Sequence, residues 1–519
     1  MHLFDNLCLT LRHYGYRHKI IEDSFGNSIS NLGLIYKSIL ISIIYKKKLK
    51  KENTVAILMP NIVVTSVLFF SIQYLNKVVS IINFTSGLKN IISSLKISKI
   101  KTIITSRKFI EQLDMHDAIK KINEEVKVLY IDDIKSEISL FLKIKAAKEL
   151  IFYLLYSYAL FNYIFSCFSS QVKRNANDPA LILYTSGTES SPKGVVLSHK
   201  NLYINRSQVL RSLDLNSKKN KIEKFFTCLP FFHSFGIGIG VLLPILNGHK
   251  VFLYPTPLHY KAIPSLLEKS KASIFFSTNT FLKKYKNYFK KENFKYIKYL
   301  IAGAEKLDEE IYSYYKNKFN IKILEGYGVT EASPAVSVNT YDNFRLGSVG
   351  KILYGIDYKI EKIDGYNKGG LLYIKGDNIM LGYQNENNFQ KIDIKNNWYN
   401  TGDIAFVDDD GFLFILGRLK RFAKIAGEMI SLVQIEEFPK KLWPEYNHGI
   451  CSVLDSAKGE ALVFLTDNKE ADIVKLNSFM KDSGFSNLYF PKKIKIVSVF
   501  PILGSGKIDF KKLQELAEI

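Results

Sequence analysis

The residues best suited to chemistry lie in one run, Tyr184-Thr185-Ser186-Gly187-Thr188-Glu189-Ser190-Ser191-Pro192-Lys193-Gly194. Its hydroxyls and free backbone N–H groups can wrap phosphate oxygens, and Lys193 adds a point charge. An ordinary turn needs no such density of donors, so the available chemistry is the holding of a nucleotide's phosphates. The spacing is not that of a Walker loop, because Pro192 stands where G-x-x-x-x-G-K-[ST] places its second glycine.

A phosphate loop needs a strand to deliver it and a helix to receive it. Ala180-Leu181-Ile182-Leu183-Tyr184 reads as the strand, and a helix is expected near Asn201. Upstream, Val55–Met59, Val78–Ile82, Lys101–Ile104 and Val128–Ile131 read as buried strands alternating with helices. The rhythm continues through Phe225–Thr227, Val251–Leu253, Ser273–Phe276 and Lys322–Leu324. Such alternation predicts an α/β fold with a parallel sheet covered by helices. Beyond about residue 345 short strands with glycine turns take over, and Asp409-Asp410-Gly411 signals a hairpin. After Arg418, a final segment of about a hundred residues is long enough for a domain of its own.

With 519 residues the chain exceeds one ordinary core, so two or more domains are expected. Its net charge of +23 admits two readings, a solvated lysine coat or attraction to a polyanion. The polyanion would be nucleic acid, an anionic membrane or an acidic carrier protein. No compact arginine-rich arm or repeated stacking motif favours nucleic acid. Cys8, Cys167, Cys228 and Cys451 form no close pair, which argues against a C-x-x-C zinc site and a disulfide framework and points to a reducing, cytoplasmic compartment. Met1-His2-Leu3-Phe4-Asp5 lacks the features of a signal peptide. Ile151–Phe168 is uncharged and flanked by Lys148 and Lys173-Arg174. It suits a packed helix, an interfacial membrane-contacting helix or, at the lower limit of length, a span.

The phosphate run resembles the signature of the adenylate-forming superfamily (acyl-CoA synthetases, peptide-synthetase adenylation domains and luciferases), T-S-G-[ST]-T-G-x-P-K-G. Glu189 replaces its second threonine and Ser190 a glycine; where that glycine takes a positive φ, serine costs about 1 kcal/mol. The resemblance implies ATP and Mg²⁺, with Thr185, Ser186, Gly187, Thr188 and Lys193 on the phosphates. Further motifs follow in the family's order. Leu229–Gly236 resembles the segment whose His233 borders the carboxylate and acyl pocket. Gly303 and Ala304 match the backbone that brackets adenine. In Glu325-Gly326-Tyr327-Gly328-Val329-Thr330-Glu331, Tyr327 would stack on adenine, Thr330 would bond the α-phosphate and Glu331 would hold the metal. Trp398-Tyr399-Asn400-Thr401-Gly402-Asp403 resembles W-Y-x-T-G-D, with Asp403 on the ribose hydroxyls and Asn400 in place of the commoner aspartate. Arg418 would also reach the ribose, Lys420 would be the hinge, and Gly504-Ser505-Gly506-Lys507 would carry the catalytic lysine. The implied domains are a large AMP-binding region of helix-covered sheets over 1–417, with a β-rich subdomain over about 345–417, and a small mobile C-terminal α+β lid over 418–519.

Arg421–Ser431, Phe252–Pro255 with Leu258–Tyr260, and Asn83–Gly87 resemble one branch, the long-chain fatty acid–acyl-carrier-protein ligase half of a bacterial bifunctional acyltransferase. That branch implies a fatty acid substrate, acyl carrier protein as acceptor, peripheral contact with the cytoplasmic face of the inner membrane, and a separate acyltransferase downstream. Ala426 and Gly427 would border its thiol tunnel. The acyltransferase motif H-x-x-x-x-D is matched formally by His18 and Asp23, which fall in the first elements of the ligase fold and read as coincidence. A CoA ligase and an inactive fatty-acid carrier are the alternatives.

Overall fold

Runs of Val, Ile, Leu and Phe that are apolar at successive positions, rather than alternate ones, suit strands covered on both faces. The computed structural model describes residues 1–519 except 157–173, 186–191, 216–221, 364–365, 387–388, 393–397, 456–458 and 503–507, and the side chains of residues 12, 153–156 and 367. The chain divides into two compact units, one of residues 1–356 with 376–397, the other of 357–375 with 398–519.

In the first unit the strand–helix rhythm is distributed over two sheets. One has Lys127–Tyr130, Thr102–Thr105, Thr54–Ile57, Val78–Ile81 and Pro179–Thr185 as parallel neighbours in that order. Lys193–Ser198, Gly382–Gln384 and Phe389–Lys391 extend it with antiparallel pairings. The other has Lys19–Asp23, Lys250–Leu253, Lys224–Thr227, Ile274–Ser277, Tyr299–Ala302 and Ile323–Gly328 as parallel neighbours. Ser28–Ser30 closes one edge; Ala335–Val338 and Lys351–Ile352 close the other, all antiparallel. The helix-covered sheets expected of this region are thus two, and each is mixed at its edges rather than wholly parallel, because hydrophobic period identifies a strand without naming its neighbours or their direction.

Each expected strand is present within one or two residues of its sequence bounds, apart from Ile323–Gly328, which runs four residues further. The helix near Asn201 is His199–Ser212, started by a capping box in which Ser198 and Asn201 satisfy each other's backbone N–H groups. Between the phosphate run and that helix lies the strand Lys193–Ser198, which reverses the chain against Pro179–Thr185.

The second unit carries a four-stranded sheet, with Ile356–Ile363, Tyr366–Gly376, Tyr399–Val407 and Leu413–Arg418 in that order. The hairpin expected at Asp409-Asp410-Gly411 joins the last two strands, and Asp408 Oδ1 accepts from the Asp410 and Phe412 N–H groups at 3.2 and 2.8 Å. C-terminal to it, strands His448–Asp455, Gly459–Thr466 and Lys493–Ile496 form a three-stranded sheet. Ile435, Phe438, Leu476 and Met480 from two helices pack on its Ile450, Leu462 and Phe464.

His18 and Asp23 are structural. His18 Nε2 lies 3.0 Å from the Gly248 carbonyl, and the buried Asp23 carboxylate accepts from the Phe25, Asn27 and Val63 N–H groups. Cys8, Cys228 and Cys451 are buried free thiols; Cys167 lies outside the described residues. Among the described residues no helix is long and apolar enough to cross a membrane. Ile151–Tyr156 ends the helix Leu140–Tyr156, and the rest of the uncharged stretch lies outside the described residues.

Candidate active site

Parallel strands share one direction, so everything that follows their C-terminal ends gathers along one edge of the sheet, the usual ligand position in α/β folds. His233 and Ser234 follow the strand Lys224–Thr227, Gly303 follows Tyr299–Ala302, and Thr330 follows Ile323–Gly328. Ser234 Oγ and Thr330 Oγ1 meet at 3.2 Å, uniting two segments far apart in sequence. The His233 loop is braced by the buried Asn61, whose amide donates to the Leu229 carbonyl at 2.8 Å and accepts from the Phe231 N–H at 3.0 Å. The half-buried His233 ring sits 4.9 Å from the Phe232 ring.

Thr330 and Glu331 occupy a one-turn 3₁₀ segment held by a returning strap. Asn378 donates to the Ala332 carbonyl at 2.9 Å, Ser333 donates to the Asn378 carbonyl at 2.7 Å, and the Met380 N–H donates to the Glu331 carbonyl at 2.8 Å. The strap continues into Tyr383, whose hydroxyl donates to Glu331 Oε1 at 2.7 Å. Lys193 Nζ lies 5.8 Å from the centroid of the same ring. Tyr383 thus joins the lysine of the phosphate run, on one sheet, to the carboxylate at the end of the other. The sequence reading passed over Tyr383, Asn61 and Ser234 as functional residues. A Gly-Tyr pair between an apolar run, Ile379–Leu381, and the polar Gln384-Asn385 was the available signal for Tyr383.

Thr185 pairs directly with Lys193 across the hairpin that carries the phosphate run. The run's first residue, Tyr184, is anchored by its hydroxyl to Ser80 and Ser98 at 2.8 and 2.6 Å, and burial pushes this phenol up to about 12. Ser186, Gly187, Thr188, Glu189 and Ser190 lie outside the described residues, as does Lys507. The neighbours of the latter, Ile502 and Ile508, form an antiparallel bridge.

Near the strand ends a Cβ on Gly303 would lie 3.3 Å from both the Gly326 carbonyl and the Phe235 ring, so bare backbone lines this edge beside the half-buried Tyr327. Ala304 next to it is exposed and takes φ +68°. Glu325 behaves differently from its neighbours. Its carboxylate is buried and accepts from the Leu307 N–H at 2.9 Å, which ties down the 303–307 loop, and burial pushes its pKa up to about 7. The Glu325 side chain therefore shapes the edge from beneath.

In the second unit Asp403 and Arg418 face each other across adjacent strands, with Arg418 Nε 2.8 Å from Asp403 Oδ1 and Arg418 Nη1 donating to the Thr401 carbonyl at 3.1 Å. Asn400 Oδ1 accepts from the Gly402 N–H at 2.8 Å. An aspartate oxygen would serve that turn equally, which explains how asparagine substitutes there. Lys420 is exposed in a 3₁₀ turn directly after Arg418. Ala426 and Gly427, at φ +50° and +89°, form the exposed two-residue tip between strands Phe422–Ile425 and Glu428–Ser431.

Residues 40–384 match the family model for AMP-binding enzymes. The chain is a member of the AMP-binding enzyme family. The matched span contains the phosphate run, the His233 loop and the Thr330–Glu331 turn with its Tyr383 strap. Among curated relatives of this AMP-binding enzyme, luciferin 4-monooxygenase of Photuris pensylvanica is 30% identical over 358 residues, covering 65% of this chain and 64% of that protein. The mitochondrial medium-chain acyl-CoA ligase of Mus musculus is 28% identical over 357 residues, 66% of this chain and 58% of that protein. A probable 4-coumarate–CoA ligase of Dictyostelium discoideum is 33% identical over 269 residues, with 50% and 48% covered. The matches thus span less than two thirds of these relatives' own lengths. The fold extends further: ATP-bound MatB from Rhodopseudomonas palustris superposes with TM-score 0.78 at 21% identity, covering 98% of both chains. O-succinylbenzoate CoA synthetase of Bacillus subtilis, solved with ATP and magnesium ion, gives 0.77 at 19% identity over 98% of this chain and 99% of that one.

Proposed function

We propose that this AMP-binding enzyme activates a long-chain fatty acid with ATP as an acyl-adenylate and passes the acyl group to the pantetheine thiol of an acyl carrier protein. The observation that carries the reading is the constellation Ser234–Thr330 and Glu331–Tyr383–Lys193, which brings hydroxyls, one carboxylate and one ammonium together from the ends of two sheets. Those are the groups a nucleotide phosphate and its counter-ion need.

Glu331 suits magnesium, since it offers a hard carboxylate oxygen oriented by a hydroxyl, and this ion commonly takes one or two carboxylates and completes its shell with phosphate and water. When bound, the ion offsets charge on the phosphate oxygens. Thr330 bonds the α-phosphate; Thr185, Ser186, Gly187, Thr188 and Lys193 hold the β- and γ-phosphates; Tyr327 stacks on adenine, bracketed by Gly303, Ala304 and the backbone of Glu325 and Gly326. Asp403 and Arg418 take the ribose. His233 borders the fatty carboxylate, whose oxygen attacks the α-phosphorus in line while the bond to the β-phosphate breaks and pyrophosphate leaves. Lys507 stabilises charge on the oxygens of that transition state. In the second half-reaction the thiol gives its proton to solvent, and the thiolate sulfur attacks the acyl carbonyl. The carbonyl–phosphate C–O bond then breaks and AMP leaves. Residues 418–519 act as the lid on 1–417. Rotation about Lys420 withdraws Lys507 and brings the Ala426-Gly427 tip beside the thiol path.

The net charge of +23 suits an acidic carrier protein and an anionic membrane, on its cytoplasmic face, as the source of fatty acid. A separate acyltransferase then uses the product. CoA is the second reading for the acceptor, favoured by the curated relatives whose names specify CoA ligases. Incubation with radiolabelled palmitate, ATP and both acceptors decides. Label on the carrier protein supports the proposal, and label on CoA alone replaces its acceptor.

A further inference from the structure

Among the described residues, the helix Leu140–Tyr156 carries an apolar face that is exposed. Leu140, Phe141, Ile144 and Ile151 are 73%, 72%, 48% and 55% exposed. At about 100° per residue, Leu140, Ile144 and Ile151 fall within an arc of about 40°, with Phe141 beside it. Ala146 and Leu150 are buried, about 140° and about 100° round the helix from the centre of that arc. The stripe is therefore a second apolar face, additional to the one that packs.

Its border is basic. Lys143 flanks one side, Lys145 and Lys148 the other, and all three are exposed. The neighbouring helix Asn31–Lys48 runs antiparallel, since Tyr36 donates to the Lys143 carbonyl at 3.3 Å while Lys48 pairs with Glu137. Its C-terminal end thus lies by the start of the exposed stripe, and there Lys46, Lys47, Lys50 and Lys51 are exposed. The nearby acids are engaged: Glu137 with Lys48, Glu149 with the Tyr74 hydroxyl at 2.5 Å, Asp132 and Asp133 with Arg107.

We infer that the helix Leu140–Tyr156, with the lysine cluster Lys46–Lys51, docks on an anionic lipid bilayer. Nucleic acid would satisfy the lysines and leave the leucine, phenylalanine and isoleucines in water. A bilayer interface accepts both, the apolar side chains at the acyl boundary and the ammonium groups among the headgroups. The inference deepens the proposed membrane supply of fatty acid by naming the surface that makes contact.

The test is sedimentation of the full chain with vesicles of phosphatidylglycerol and phosphatidylcholine, or of phosphatidylcholine alone. Wild type binds the anionic vesicles, and about 0.5 M salt releases it. The triple variants Leu140→Ser/Phe141→Ser/Ile144→Ser and Lys143→Glu/Lys145→Glu/Lys148→Glu lose binding by about tenfold or more while keeping wild-type melting temperatures, because all six side chains are exposed. Wild type indifferent to anionic vesicles, or variants that bind as well as it does, overturn the inference. So does a serine variant that turns a dimer into a monomer, which would make the stripe a contact between copies. ATP–pyrophosphate exchange without vesicles is measured alongside, so loss of docking is separable from loss of the ligase reading.

Discussion

At Glu331 the carboxylate is oriented by the Tyr383 hydroxyl, which donates to Oε1 at 2.7 Å. Tyr383→Phe keeps the ring beside Lys193 and removes the hydroxyl that donates to Glu331. A hydrogen bond to a half-exposed charge is worth about 1 kcal/mol, so the magnesium concentration for half-maximal activity should rise about fivefold. Magnesium titration and calorimetric binding of magnesium–ATP check this, and unchanged values in both would remove Tyr383 from the metal-holding role. Glu325 offers a test in the folding equilibrium. Its pKa is raised by burial from 4.5 to about 7, so the folded chain holds this proton more tightly than the unfolded one. The associated stability is present below the unfolded pKa and is lost as pH rises through about 7. The unfolding free energy of wild type, from urea titrations, should fall between about pH 5 and 7.5 by an amount on the order of 2 kcal/mol. Glu325→Gln should flatten that slope, and an equally steep slope in the variant would contradict the assignment. The sequence nominates Thr330, Glu331, His233 and Lys193 because their motifs are local. Tyr383 was illegible because it meets Glu331 across 52 positions, through a strap whose course only the fold reveals.

The segment Phe235–Leu242 is a wide π-type turn with Gly236, Gly238 and Gly240 on alternate positions. A Cβ on Gly236 would stand 2.1 Å from the Pro230 carbonyl oxygen, a contact that backbone alone can relieve. Gly236→Ala should therefore lower stability by about 2 kcal/mol or more and displace the His233 loop. A melting temperature within a degree of wild type would show that the loop gives way freely. Strands and helices were legible in this chain because buried parallel strands read as unbroken apolar runs. Their partition between two sheets was not, since Ile182 and Phe226 are equally apolar and neither identifies its neighbour strand. The strand Lys193–Ser198 was hidden for a related reason: its first residues carry the phosphate signature and read as loop.

Across the whole molecule, the β-strands 357–375 and 398–418 cluster with the C-terminal segment rather than with the two-sheet unit. The boundary proposed at Arg418–Lys420 follows the chemistry of a hinge and is a separate matter from compactness. It has a kinetic consequence. Lys507→Ala should abolish adenylate formation and leave thiolysis of supplied acyl-AMP near wild type; equal loss of both half-reactions would count against a turning lid. Two other large-scale readings, a CoA ligase and an inactive fatty-acid carrier, differ from the proposal at different steps. The measurement that bears most directly on the central claim is fatty-acid-dependent exchange of radiolabelled pyrophosphate into ATP. Exchange that requires the full chain, a long-chain acid and magnesium, and vanishes in Glu331→Gln, is the result the account predicts. Absence of exchange with every fatty acid tried, from a folded protein that still binds ATP, would contradict it.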